Sequence, residues 1–302
     1  MNNIIVLNNY NKESYYYILD KNSKYLKIRN FYTNEVIKDC KLLENNKILI
    51  KENIYDIKKY DNIINLITNI EIKLNKNKTD FSQLIENKRI VIVGPADYVK
   101  NKGLEIDNYD VIIRLNKGLN MEKNKTDYGS RTDILYHCVN QKKENGGEIN
   151  YDIYNNTHIR FCYPLIDYNE NTSFKNVSTL RDYFNIDYKN LHNFSVIEKN
   201  KYLNFETNIC KNTRPNTGLI AILDILSYNI KELYITGFTF FETNYSNQYR
   251  KKVDNNLSTG EQAKKRMKKV GAHDLNIMKE IFKNFILNHN KIKYDDIILN
   301  FL

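Results

Sequence analysis

Hydrophobic and polar positions follow one rhythm at the start of the chain and another after residue 88. Up to about residue 70, short aromatic or β-branched runs (SYYYILD, KYLKIRNF, NKILIKE) are separated by DKNS, YTNE and LENN, which carry turn chemistry. This pattern predicts a small antiparallel sheet or a set of hairpins. The polar, charged stretch EIKLNKNKTD at 71–80 marks a boundary. It separates a small β-rich N-terminal region, 1–80, from a larger domain, 81–302.

In the larger domain, RIVIVG is a continuous apolar run closing on Gly94, as expected of a strand buried on both faces of a parallel sheet. YDVIIRLN, TDILYHCV, HIRFCYPL and KELYITGF repeat the pattern. Thr217–Ser227 has helical spacing, with Leu219, Ile222, Leu223 and Leu226 on one face. Asp274–Leu287 predicts a last amphipathic helix with Ile277, Ile281, Phe282 and Phe285 as its stripe. Strands alternating with helices predict an α/β domain with a mostly parallel, doubly wound sheet. Ligands of such sheets bind beyond the carboxyl ends of the strands, which gathers Gly94, Asn116 and Gly237 around one crevice.

Hydrophobic residues make up 41% of the 302 and aromatics 12%, enough for a real core and against wholesale disorder. The net charge of +10 suits anionic partners, but only clustered charge is a footprint. The cluster present is Lys264, Lys265, Arg266, Lys268 and Lys269. It is either a solvated helical face or a patch that attracts an anionic sugar or a membrane bearing a glycolipid acceptor. Nucleic-acid binding would rest on charge alone and is not expected. Cysteines 40, 138, 162 and 210 form neither CxxC nor a metal-like spacing, which predicts free thiols, no metal and a reducing, cytoplasmic location. No run of 18 or more apolar residues exists to span a membrane, and the first apolar run is too short for a secretory leader.

Four places along the larger domain carry candidate chemistry. The turn Gly94-Pro95-Ala96 lets backbone approach a ligand, but neither GxGxxG nor GxxxxGK[ST] is present, so dinucleotide and P-loop sites have no support. Asn116, at a strand end, offers a donor and an acceptor to a ribose, base or phosphate. Arg114 either forks onto a phosphate or carboxylate, or pairs with Asp107 or Asp110 as a brace; bracing is the role expected of it. Gly129, Arg131 and Thr132 have the same bracing character. Asn216, Thr217 and Gly218 open an apolar helix, with Thr217 the expected N-cap, free N–H groups suited to an anion, and Arg214 adding charge beside them. His273 opens the last helix and is one of only five histidines; a helix N-terminus disfavours its protonated form and keeps it available as a neutral base.

In order and type these four places resemble glycosyltransferase family 29, the eukaryotic-type sialyltransferases. The large sialylmotif, G-x-x-ID-x-x-D-x-V-x-R-x-N leading to G-x-[RK]-T, is similar to Gly103, Ile106-Asp107, Asp110, Val111, Arg114, Asn116, Gly129, Arg131 and Thr132. The small sialylmotif resembles Pro215-Asn216-Thr217-Gly218 with Gly237-Phe238, and the very small one His273. Residues 88–287 carry the resemblance. It implies a Rossmann-like, GT-A-variant fold and inverting, metal-independent, cofactor-free transfer of sialic acid from CMP-sialic acid to a glycan hydroxyl. It further implies that Asn116 binds CMP, that the Asn216-Thr217-Gly218 turn holds the donor near its phosphate and carboxylate, and that Gly237 and the Gly94–Ala96 turn flank the nucleotide. His273 would be the general base.

The departures from the family pattern are specific. Pro95 stands where the family usually has Asn. Ile90 and Ile230 stand where the family has a disulfide, which points to a packed contact in a reducing compartment. Met278 replaces a Glu five residues after the histidine, and Glu280, two turns down, is the substitute on offer. Tyr245 and Tyr249 are the candidates for the third motif, and no membrane anchor is visible. Two other readings stay open: a CMP-Kdo-type transferase, and a catalytically degraded nucleotide-binding module.

Overall fold

The computed structural model describes residues 4–9, 12–21, 25–30, 36–44, 47–50, 53–60, 70–74, 80–149, 151, 156–165, 179, 182–183, 185–188, 190–250, 256–270 and 273–302. Two compact units divide the chain: Met1–Lys76 with Leu165–Asn185, and Asn77–Pro164 with Ile186–Leu302.

The first unit is more than a set of hairpins. Strands β1 (Ile4–Asn9), β2 (Lys12–Lys21), β3 (Tyr25–Asn30), β4 (Val36–Leu43), β5 (Lys47–Ile50) and β6 (Asn53–Tyr60) form a closed antiparallel barrel. Closure comes from β1 pairing with both β2 and β6, which leaves no open edge. Register shifts between Ile18 and Asp20 and between Leu26 and Ile28 bend the strands as closure requires. Alternation along β5 buries Ile48 and Ile50, and Cys40 of β4 joins them inside.

The second unit carries the long apolar runs. Strands β7 (Arg89–Val93), β8 (Val111–Leu115), β9 (Ile134–His137), β10 (His158–Phe161), β11 (Phe194–Val196), β12 (Glu232–Thr236) and β13 (Ile292–Tyr294) form one sheet in the order β11-β10-β9-β8-β7-β12-β13. Every pairing is parallel. Between the strands run α1 (Ser82–Ile85), α2 (Gly103–Asp107), α3 (Lys125–Tyr128), α4 (Lys199–Asn204), α5 (Thr217–Leu226), α6 (Thr259–Val270) and α7 (Leu275–Ile281). The chain builds outward from β7 to β11, then returns to the other side of β7 as β12. The switch point therefore lies between β7 and β12, where such sheets open a crevice.

α5 is apolar nearly all round, and it also buries Asp224 completely. The carboxylate is held by Arg160 of β10 at 2.9 Å, by the Tyr136 hydroxyl of β9 at 2.9 Å and by Lys201 of α4 at 3.3 Å. One buried charge thus ties a helix to two strands and a second helix. The last helix differs from its predicted stripe. Past Ile281 it continues as a π-turn, Phe282–Ile286, and the extra residue per turn rotates Phe285 outward to 49% exposure. Met278, Ile281, Phe282 and Ile286 form the buried stripe instead.

Two histidines sit in the sheet core as neutral groups. Burial pulls His137 down to about 4, with Gly147 and Gly146 opposing weakly. Burial and then the Arg160 charge pull His158 down to about 3.

Two outcomes are expected. Asp224→Asn leaves Arg160 buried without its counter-charge and costs about 3–5 kcal/mol, read as a lower urea midpoint. Acid also destabilises the fold through the histidines. Both folded pKa values lie below the unfolded value of 6.5, so their contribution is complete above that pH. It is lost as pH falls from 6.5 toward 4 for His137 and on toward 3 for His158. Each adds a slope of about 1.4 kcal/mol per pH unit inside its window. Calorimetric unfolding at pH 5 should show proton uptake that is absent at pH 8.

Candidate active site

The loops leaving β7 and β12 meet at the switch point, backbone against backbone. Gly94 N–H donates to Thr236 O at 2.7 Å, and Ala96 N–H donates to Gly237 O at 3.1 Å. A Cβ on Gly94 would strike the Gly237 carbonyl, and a Cβ on Gly237, whose φ is +77°, would strike that of Gly94. Neither position has room for a side chain. Pro95 O accepts from Ser246 N–H at 2.8 Å, and Ala96 bridges Tyr245, so 245–246 is pinned onto this turn.

Gly237 is also held from below. Its N–H donates to the Tyr98 hydroxyl at 2.8 Å, and that hydroxyl donates to Asp295 at 3.2 Å. Asp295 also accepts from Lys102 at 2.6 Å and from the hydroxyls of Tyr234 and Thr236. Burial alone would raise this carboxyl; the donors Lys102, Thr236 and Tyr234 outweigh it and hold it below its usual range.

Asn116 follows β8 in the left-handed region, at φ +53°, a conformation asparagine tolerates better than most residues. Its side chain is gripped from three elements. Oδ1 accepts from Cys138 N–H at 3.0 Å, Nδ2 donates to Thr217 Oγ1 at 3.4 Å, and the Tyr249 hydroxyl lies beside the amide. Asn116, the end of β9, the start of α5 and Tyr249 are thereby one cluster. Burial raises the Tyr249 phenol, against the nearby Arg250 charge.

The N-cap of α5 is Asn216, not Thr217. Asn216 is extended at ψ 167°, and its Oδ1 accepts from Leu219 N–H at 2.8 Å. Thr217 is the first helical residue, which leaves its hydroxyl for Asn116. Gly218 follows beneath the Phe238 ring. Before the cap, Arg214 lies 3.9 Å from the Tyr163 ring centroid, and Tyr163 donates to Pro215 O at 3.0 Å. His273 stands one residue before the true cap of α7, Asp274, which accepts from Asn276 N–H at 2.9 Å and Ile277 N–H at 3.2 Å. The His273 ring meets Arg214 O through Nδ1 at 2.8 Å. A carbonyl only accepts, so Nδ1 carries the proton and Nε2 is the basic nitrogen.

The remaining candidates lie apart from this cluster. Arg114 is fully buried; it donates to Thr132 Oγ1 at 2.9 Å, Tyr128 O at 2.6 Å and Arg131 O at 3.2 Å. Burial pulls it down to about 10, resisted by Glu122, Asp107 and Asp133. It does brace a turn, but not through Asp107 or Asp110: Asp107 accepts from Ser130 N–H at 2.9 Å, and Asp110 pairs with Arg89 at 3.3 Å. Arg131 donates to Tyr109 O. Met278 is core, and Glu280 is an exposed partner of Lys211 at 2.8 Å. Ile90 and Ile230 are both buried, and their segments are joined by Lys231 N–H to Lys88 O at 3.0 Å. All four cysteines are free thiols. Lys264 pairs with Glu242 at 3.0 Å; the side chains of Arg266, Lys268 and Lys269 lie outside the described residues.

Sequence reasoning missed Cys138, whose backbone orients Asn116, and the Asp295 network under Gly237. No local signal marks either, because their partners lie far along the chain. Among the described residues no group of His, Cys, Asp or Glu could hold a metal ion, and no helix is long and apolar enough to cross a membrane.

The family model of glycosyltransferase family 29 (sialyltransferase) matches residues 31–290, most of the chain. The chain belongs to this family and is a glycosyltransferase. The match reaches into the barrel, well before residue 88, where the motif resemblance begins. The chain is also similar to two solved structures of a mammalian sialyltransferase. One, in complex with Gal-beta-1-3GalNAc-ortho-nitrophenol, has 14% identity and a TM-score of 0.45 over 78% of this chain and 79% of that one. The other has 15% identity and a TM-score of 0.43 over 79% and 80%. No curated protein matches the chain.

Asn216→Ala should cost about 1 kcal/mol in chemical denaturation, while Asn216→Asp should stay near the unaltered value. The corresponding Thr217→Val change should leave the helix start intact, which separates the two roles.

Proposed function

We propose that this protein is an inverting, metal-independent transferase that moves sialic acid from CMP-sialic acid to a hydroxyl of a glycan or glycolipid. Membership of the sialyltransferase family supports the sugar class. The observation that carries the site is the convergence of Asn116, the start of α5 and, through the Arg214 carbonyl, His273.

In this reading Asn116 and the paired turns at Gly94–Ala96 and Gly237 hold the CMP portion. The first N–H groups of α5, at Thr217 and Gly218, with Arg214 beside them, meet the phosphate and the sugar carboxylate. His273 Nε2 takes the proton of the acceptor hydroxyl as that oxygen bonds to the anomeric carbon. The bond from that carbon to the phosphate oxygen breaks on the opposite face, and CMP departs with the electron pair. CMP is a good leaving group, and helix N–H groups with a guanidinium stabilise its charge in place of a cation. The Nδ1–H bond to Arg214 O keeps the imidazole in the tautomer this step needs. No cofactor takes part.

The four free thiols and the Ile90 and Ile230 pair support a reducing, cytoplasmic setting. The Lys264–Lys269 stretch is the proposed peripheral contact with an anionic acceptor or membrane, without a spanning segment.

His273→Ala should lower transfer by about 10²–10⁴-fold, the usual contribution of a general base. CMP affinity, read by calorimetry, should stay within a few-fold. Unchanged turnover would remove His273 from the mechanism. A chelator should leave the rate unaltered, and a panel of CMP-sugars should show turnover with CMP-sialic acid above CMP-Kdo.

A further inference from the structure

We propose that Arg250 supplies a second guanidinium, in addition to Arg214, that holds the phosphate of the CMP donor. This rests on the nucleotide reading of the Asn116 cluster.

Arg250 ends a turn built on the β7 loop. Ser246 N–H is fixed to Pro95 O at 2.8 Å, and the N–H groups of Tyr249 and Arg250 both donate to Ser246 O, at 2.9 and 3.0 Å. The turn packs the Tyr249 ring edge-on against Tyr245, with centroids 5.6 Å apart, and places Arg250 directly after it. The guanidinium lies 5.6 Å from the Tyr245 ring centroid, and one terminal nitrogen donates to Glu144 O at 2.9 Å. Its Nε is buried and has no hydrogen-bond partner. A buried cationic donor without an acceptor is an unusual and costly arrangement.

A second cation stands nearby. Lys117, the residue after Asn116, lies 5.2 Å from the Tyr249 ring centroid and donates to Lys143 O at 2.8 Å. Lys117 and Arg250 thus donate to consecutive carbonyls of one loop. The amide proposed to hold CMP thus has beside it a tyrosine with two fixed cations around it, Lys117 and Arg250. A guanidinium can meet two oxygens of a phosphate at once. The competing role is mechanical: Arg250 staples the 138–147 loop through Glu144 O and never meets ligand. The two roles differ in what they do to the phosphate alone.

Calorimetry of the full chain with CMP and with cytidine separates them. The unaltered protein should bind CMP more tightly than cytidine. Arg250→Met should weaken CMP at least tenfold while cytidine changes less than twofold. Arg250→Lys keeps the charge without the fork and should fall between. Unchanged CMP binding in Arg250→Met, or equal loss for both ligands, overturns the phosphate role and leaves the nucleotide reading intact. Should Arg250→Met not fold, Arg250→Lys carries the test, and a CMP-to-cytidine ratio equal to that of the unaltered protein overturns the role. Binding of neither ligand by the unaltered protein overturns the nucleotide reading, and the role of Arg250 with it.

Discussion

The contact on which the second unit depends is that of Gly94 with Gly237. Two neighbouring parallel strands end side by side, and their chains must leave in different directions. They can do so at this distance only because neither residue carries a Cβ and because Gly237 adopts a φ of +77°. The hydrogen bonds Gly94 N to Thr236 O and Ala96 N to Gly237 O then lock the two turns together. The turn at 245–249 is positioned from this point: Tyr245 and Ser246 dock on Ala96 and Pro95, and Tyr249 follows beside Asn116.

Beneath the site the fold uses buried charge where an apolar core would be cheaper. Arg114 fills the space under the β8 turn, Asp224 binds α5 to β9 and β10, and Asp295 fixes the back of Gly237 through Tyr98. Each of these groups has several directed partners, so it admits one geometry where packed methylenes would admit several. Such rigidity suits a site built from strand ends and one helix start, because a loose first layer would scatter the donors that must face one anion.

Much of this was legible in the residue pattern. The long apolar runs at 89–93 and 232–236 read as interior parallel strands, and the helix at Thr217 read correctly to its last turn. Family membership was legible because the motif residues that define the turns, Gly94, Asp107, Gly129, Gly218 and Gly237, are held by backbone geometry with few alternatives. Local cap chemistry was less legible: Asn216 and Thr217 are both good caps, and only the extended backbone of Asn216 decides between them. The π-turn after Ile281 was invisible, since one added residue leaves no mark on a helical pattern until the partner surface is known. Closure of the N-terminal barrel was equally hidden. It turns on β1 meeting β6, a pairing of distant segments that no turn sequence encodes.

By itself the sequence determined the five long apolar strands, the helices at Thr217 and Asp274, the glycines that end the strands, and the polar residues at those ends. These follow from periodicity and from backbone sterics, which act over a few residues. The tertiary structure alone decided which polar ends meet: Asn116 with Cys138, Thr217 and Tyr249, His273 with the Arg214 carbonyl, and Arg250 with the loop at Glu144. The reason is physical. A hydrogen bond between residues a hundred positions apart depends on the sheet order and on the register of every strand between them, and neither quantity is written in any local stretch of the chain.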